Sequence, residues 1–172
     1  MIRSSTKVVC DAGPIIHLDE VNCLDLLNDF EEIILPFSVE REIAIHRPSA
    51  LYGSSIIVNR QTERLAIGEK LLTLCQIFSL DAGETEALSL MEESPDEIFL
   101  TDDAAARLVA EQMRFKVHGT IGILLRSIRR DQKKPEEILK ILEGIPKTST
   151  LHIKPSLLNE ILQKVKEEYQ IK

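Results

Sequence analysis

Two short apolar runs in this chain stop on acids, and that recurrence limits the folds open to it. Lys7-Val8-Val9-Cys10 ends at Asp11, and Glu97-Ile98-Phe99-Leu100 ends at Thr101-Asp102-Asp103. Each run has the length and unbroken apolarity of a strand buried on both faces, and a helical segment follows each. Gly13 permits a sharp turn after Asp11, and Pro14 suits the first position of the next helix. In an open parallel sheet, ligands bind just beyond the carboxyl ends of the strands, so both acid positions stand where chemistry occurs. Aspartate is also a favoured helix cap, and taken alone Asp11 is explained equally well by that use.

The remaining chain alternates in the same way. After the apolar turn Ile15–Leu18, Asn22 is a plausible cap for Cys23–Leu27, and Ile33–Leu35 reads as a strand ended by Pro36. Ser38 can cap a helix whose broad apolar face carries Val39, Ile43, Ile45 and His46. Glu42 falls inside that arc and Glu40 outside it, in solvent. An acid on an apolar face is unfavourable unless it ligates an ion or pairs with an arginine. Arg47 to Asn59 reads as loop with a short strand over Ser55–Val58, then a helix spans about Thr62 to Ile77 with Leu65, Leu71, Leu72 and Cys75 inward.

Asp81 and Glu84 have capping-box spacing, a structural use for both. Glu84 also heads the stripe of Ala87, Leu88 and Met91, whereas Glu86 lies off it. Helices over Ala104–Met113 and Ile121–Arg130 flank a last strand, Phe115–His118, which is followed by Gly119-Thr120. Strand–helix alternation predicts a parallel sheet with right-handed crossovers and helices on both faces. Beyond Asp131 the pattern becomes helical, with Pro135–Leu142 ended before Pro146. A final amphipathic helix, Pro155–Tyr169, turns Leu157, Leu158, Ile161, Leu162 and Val165 to one side, for packing on the body or on a partner subunit. Residues 1–172 are expected to form one domain, with 131–172 as its helical C-terminal extension.

Composition narrows the setting. Aromatics are only 4%, so aliphatic side chains must fill the core. Cys10, Cys23 and Cys75 are odd in number and lack C-x-x-C spacing, which argues against disulfides or structural zinc and for a reducing cytoplasm. No long apolar run precedes Asp11, so neither a signal peptide nor a membrane span is expected. The net charge of -7 counts against a nucleic-acid partner, unless the negative charge is concentrated in one ion-binding cluster.

Acids at two strand tips and on two helices repel one another if they share a cleft. A hard divalent cation such as Mg²⁺ or Mn²⁺ relieves this, and it also activates water and stabilises charge on a phosphoryl group. Phosphodiester cleavage fits better than peptide or glycoside chemistry. A phosphatase with an Asp-x-Asp nucleophile would need an acid where Gly13 stands. A receiver domain would need its acid pair near the first strand and a lysine after the fifth.

The motifs V-V-C-D-A-G-P-I-I-H-L, L-P-F-S-V-E-R-E-I, L-D-A-G-E-T-E-A-L, L-T-D-D-A-A-A-R and V-H-G-T-I-G-I-L-L occur in that order. Together they resemble the PIN-domain superfamily, and within it the VapC-like group in which D-x-G-P and G-E-x-E-A occur together. The resemblance runs from about Val8 to Arg130. It implies a three-layer α/β/α sandwich with a central parallel sheet of order 3-2-1-4-5. It also implies an Mg²⁺- or Mn²⁺-dependent ribonuclease, often the toxin of a toxin–antitoxin pair whose partner is a small antitoxin protein. Carried over by position, Asp11, Glu42, Glu84 and Asp103 are the implied catalytic and metal-binding acids. Asp102 and Glu86 are second choices, and the hydroxyls of Thr101 and Thr120 would order ligands or water.

Arg126, Arg129, Arg130 and Lys133 share a helical face, joined by Lys134, and suit contacts with RNA phosphates. A solvated helix end, where the dipole favours cations, is the commoner use of such a cluster. Arg107 is placed to orient a phosphate or to pair with Asp103 one turn away. The expected assembly is a homodimer or higher homo-oligomer. The rival reading is a non-catalytic RNA- or protein-binding module on the same fold, distinguished by having no cation affinity. A DNA substrate would be distinguished by direct comparison.

Overall fold

The computed structural model describes residues 6–52, 56, 58–61 and 66–171. Five strands form one parallel sheet in the order β3-β2-β1-β4-β5: β1 (Lys7–Cys10), β2 (Glu32–Pro36), β3 (Val58–Gln61), β4 (Ile98–Leu100) and β5 (Lys116–His118). The central register pairs Val9 with Ile34 on one side and with Phe99 on the other. The order reverses between β2 and β4 around β1, so Asp11 lies at the switch point.

The alternating side-chain direction of a strand divides the core in two. Val8 and Cys10 of β1 join a cluster with Ile15 and Leu18 of α1 (Ala12–Glu20), Val39 and Ile43 of α2 (Phe37–His46), and Ile123 and Leu124 of α7 (Thr120–Arg129). Val9 joins the opposite cluster with Leu71 and Cys75 of α4 (Glu69–Ile77), Leu88 and Met91 of α5 (Ala82–Glu93), and Val109 of α6 (Ala104–Gln112). The expected α/β/α sandwich and sheet order are therefore present. α8 (Pro135–Thr148) and α9 (Pro155–Tyr169) add Leu142, Ile145, Leu158 and Val165 to the first cluster.

Several local expectations are corrected. The first helix begins at Ala12, because the Asp11 carboxylate accepts its N–H, so Pro14 is the third helical residue rather than the first. That position still lacks an intrahelical acceptor, and the missing proline N–H costs nothing there. Gly13 makes no left-handed turn, since no described glycine has positive φ. Asn22 does not cap the next turn through its side chain; it adopts φ 54, and a 3₁₀ turn runs from Leu24 to Asp29. Ser38 lies inside α2 rather than capping it, and its N–H and hydroxyl turn to Glu86 instead.

On α2 the buried arc is narrower than the sequence pattern. Ile45 is 69% exposed, His46 is exposed, and Glu40 pairs with Arg60 at 2.5 Å rather than standing in solvent. Part of the expected loop is a short helix, α3 (Pro48–Tyr52). The strand expected at Ser55–Val58 is displaced to β3; Ser55 and Ile57, and the stretch Thr62–Leu65 of the expected helix, lie outside the described residues. Leu72 on α4 and Leu157 on α9 face outward, 39% and 48% exposed. α8 continues past Leu142 with Pro146 in its last turns, where the proline removes only one helical hydrogen bond.

Candidate active site

Asp11 is held over the carboxyl edge of the sheet. Its N–H continues the β1–β4 pairing to the Leu100 carbonyl at 2.9 Å. One carboxylate oxygen accepts the Ala12 N–H at 2.8 Å, and the other accepts the Thr101 hydroxyl at 3.0 Å. Thr101 is fully buried, and its oxygen accepts the Asp103 N–H at 3.1 Å, so one hydroxyl joins the tips of β1 and β4. Burial pushes the Asp11 carboxyl up to about 6; its two hydrogen bonds oppose that shift, and the charges of Glu42 and Asp81 add to it.

Three more acids belong to the same electrostatic neighbourhood. Glu42, on α2, is raised by burial and then by the Asp81 charge, and it has no hydrogen-bond or ion-pair partner among the described residues. No arginine pairs with it there. Glu84 is pushed up to about 7 by burial, with the charges of Asp81, Asp103 and Asp11 acting in the same direction. Its side chain also reaches back to the Asp81 N–H at 2.9 Å while Asp81 accepts the Glu84 N–H at 2.8 Å, completing the capping box. Asp103 caps α6 through the Ala106 N–H at 2.8 Å, so it does not form the pair considered with Arg107.

The second-choice acids are taken up by protein partners. Glu86 accepts the Ser38 N–H at 2.9 Å and its hydroxyl at 2.8 Å, joining α5 to α2. Asp102 accepts the Thr120 N–H at 2.8 Å on one oxygen and the Thr120 hydroxyl at 2.5 Å on the other, with His17 Nδ1 at 2.8 Å. A Cβ added at Gly119 would meet that carboxylate at 2.5 Å, so the glycine is required by the close approach of Asp102. Asp81 is the residue the sequence reading left to capping alone, yet its charge acts on Asp11, Glu42 and Glu84. Its place directly before the A-G-E segment was the available signal.

The donor set is all carboxylate and hydroxyl oxygen, which suits a hard cation rather than zinc or copper. Among the described residues, no three of these side chains are grouped tightly enough to hold an ion as they stand. Glu84 and Asp103 each give one carboxylate oxygen to a helix cap and keep the other.

The basic cluster is divided. Arg126 and Arg130 both bind Asp29, a buried acid in the 3₁₀ turn, at 2.7 and 2.9 Å, and Arg126 also lies over the Phe30 ring at 5.0 Å. Among the described residues Arg107, Arg129 and Lys133 have no carboxylate partner.

Fold and site together define an α/β/α sandwich whose polar centre is acidic and lies on the carboxyl edge of its sheet. A family profile described as a PIN domain matches residues 7–167, and the chain belongs to that family, whose members are in general nucleases. No curated protein matches the chain. Among the described residues no helix is long and apolar enough to cross a membrane.

Proposed function

We propose that this chain is a metal-dependent endoribonuclease using Asp11, Glu42, Glu84 and Asp103, with Mg²⁺ or Mn²⁺ as the cation. One observation carries the reading: Asp11, Glu42 and Glu84, from the tip of β1, from α2 and from α5, are each raised first by burial and further by a neighbouring acid at the switch point of a PIN-domain sheet. Burial, with the charge of neighbouring acids added, disfavours the ionised forms until positive charge enters. When bound, the cation would supply an activated water and neutralise charge on the scissile phosphate. Asp11 would anchor it, oriented by Thr101 and the Ala12 N–H. Glu42, without a protein partner, would be free to turn toward it. Asp102 and Glu86 would hold the surrounding helices rather than the ion. Cleavage of an oligoribonucleotide that requires Mg²⁺ or Mn²⁺ and vanishes in Asp11→Asn is the expected result; unchanged cleavage in that variant rejects the assignment.

The capping bonds of Glu84 and Asp103 favour a second reading, a non-catalytic RNA-binding module. Isothermal titration separates the two, since the module would bind RNA without measurable cation affinity. Resemblance to the VapC-like group supports a toxin role with a small antitoxin partner, tested by whether a short adjacent reading frame encodes an inhibitor. Apolar side chains left in water at Phe37, Ile45 and Tyr52 support a homo-oligomer, read by sedimentation. The shared buried cluster supports one domain with α8 and α9 as its extension, and the free buried cysteines support a cytoplasmic setting.

A further inference from the structure

Resting on the nuclease reading, we propose that the corner between β4 and β5 is a subsite for the ribose-phosphate backbone of RNA, formed by Arg107, His118 and Arg129. The two strand tips are joined there by the Thr101 N–H bond to the His118 carbonyl at 2.9 Å. Arg107 reaches back over its own helix to donate to the Thr101 carbonyl at 3.2 Å. Its guanidinium lies 3.1 Å from where a Gly119 side chain would begin, so the bare glycine makes room for it. On the other side of the corner the His118 ring packs on Gly122, whose added Cβ would sit 3.7 Å from Nδ1. Arg126 and Arg129 follow Gly122 on one stripe of α7, four and seven residues on. Arg107, Arg126 and Arg129 all act on His118, an exposed residue whose ring is held below its ordinary value first by partial desolvation and then by those three charges.

Arg126 is already engaged by Asp29, whereas Arg107 and Arg129 have no carboxylate partner among the described residues. In a chain of net charge -7, this leaves Arg107 at the tip of β4 and exposed Arg129 on the α7 stripe without a salt bridge among the described residues, with the Asp102 carboxylate bordering the same space at Gly119 as the Arg107 guanidinium. A strand with one phosphodiester among the carboxylates would pass a neighbouring phosphate toward Arg107, one turn along the helix that Asp103 caps. The cations contact backbone oxygens rather than bases, so the subsite positions RNA without reading sequence.

The test is fluorescence anisotropy of a labelled oligoribonucleotide in EDTA, on the full chain carrying Asp11→Asn so that nothing is cleaved. Arg107→Ala and Arg129→Ala should each weaken binding roughly three- to tenfold at low salt and reduce the slope of log K against log salt by about 0.7. His118→Ala should weaken binding without a comparable change in slope at pH 8. Arg107→Lys should recover most of the slope, and exposed Lys147→Ala on α8 should change neither quantity. Slopes equal to the parent in both arginine variants overturn the proposal, as does equal competition by polyglutamate of matched charge, which would mark an acidic-protein site. Because the readout is metal-free binding, failure here leaves the cleavage assay unaffected, and loss of cleavage dependence on metal leaves these slopes unaffected.

Discussion

His17 Nδ1 and Asp102 Oδ2 lie 2.8 Å apart although 85 residues separate them in sequence. The same carboxylate receives both the N–H and the hydroxyl of Thr120, so one side chain ties α1 and α7 to the tip of β4. Asp102→Ala leaves those partners unsatisfied and should destabilise the chain by about 2–4 kcal/mol in urea denaturation. Asp102→Asn, which keeps one acceptor, should lose about half as much. A loss under about 0.5 kcal/mol for the alanine variant would remove the clamp from the account.

Asp11 should behave in the opposite way. Its carboxyl is raised by burial, and neighbouring acids add to that shift, so Asp11→Asn removes an unfavourable charge. Metal-free protein carrying it should melt at the same temperature as the parent or higher, and Mn²⁺ should no longer raise the melting point. Strong destabilisation without metal would instead make Asp11 a helix cap only.

Stability should fall as pH rises. Asp11 titrates at about 6 and Glu84 at about 7 in the folded chain, both above their unfolded values near 4. Between those limits the folded state holds more protons, so the stability they contribute is complete below about pH 4 and lost by about pH 8. Asp11, only 7% exposed, should account for on the order of 2–3 kcal/mol of that change. Glu84 contributes less, since water screens it. Asp29, Glu32 and His118, all held below their ordinary values, contribute in the opposite sense, their share of stability rising with pH. Urea midpoints at pH 5 and pH 8 in EDTA measure the effect, and Asp11→Asn should reduce it.

Asp29→Ala should destabilise by about 2–3 kcal/mol, because it strands two guanidiniums against a site whose carboxylate is only 3% exposed. Arg129→Ala should leave the denaturation midpoint unchanged. Equal effects would contradict the division of the basic cluster into structural and free arginines.

The strand–helix order was legible because each buried run ends at an acid, a proline or a glycine. Glu42 was recognisable because an acid within an apolar arc conflicts with its surroundings. Ile45 was misplaced because α2 is buried on a narrower face than its spacing suggests. Asp29 could not be found from sequence, since its partners lie 97 and 101 residues away. The contribution of Asp81 was hidden by its capping box, because a residue that caps locally can still project its charge across the cleft. Sheet order came from the family resemblance rather than from any residue pattern.

Glu20 accepts the Ser149 hydroxyl at 2.6 Å and the Thr150 N–H at 2.7 Å, just beyond the end of α8. α1 thus carries the first carboxylate of the cleft at its head and a tether to the C-terminal helices at its foot. A helix of nine residues is a stiff rod about 13 Å long. The C-terminal helices are therefore hydrogen-bonded to the foot of the same core helix that Asp11 caps, which joins the last segment of the chain to the element nearest the acidic centre.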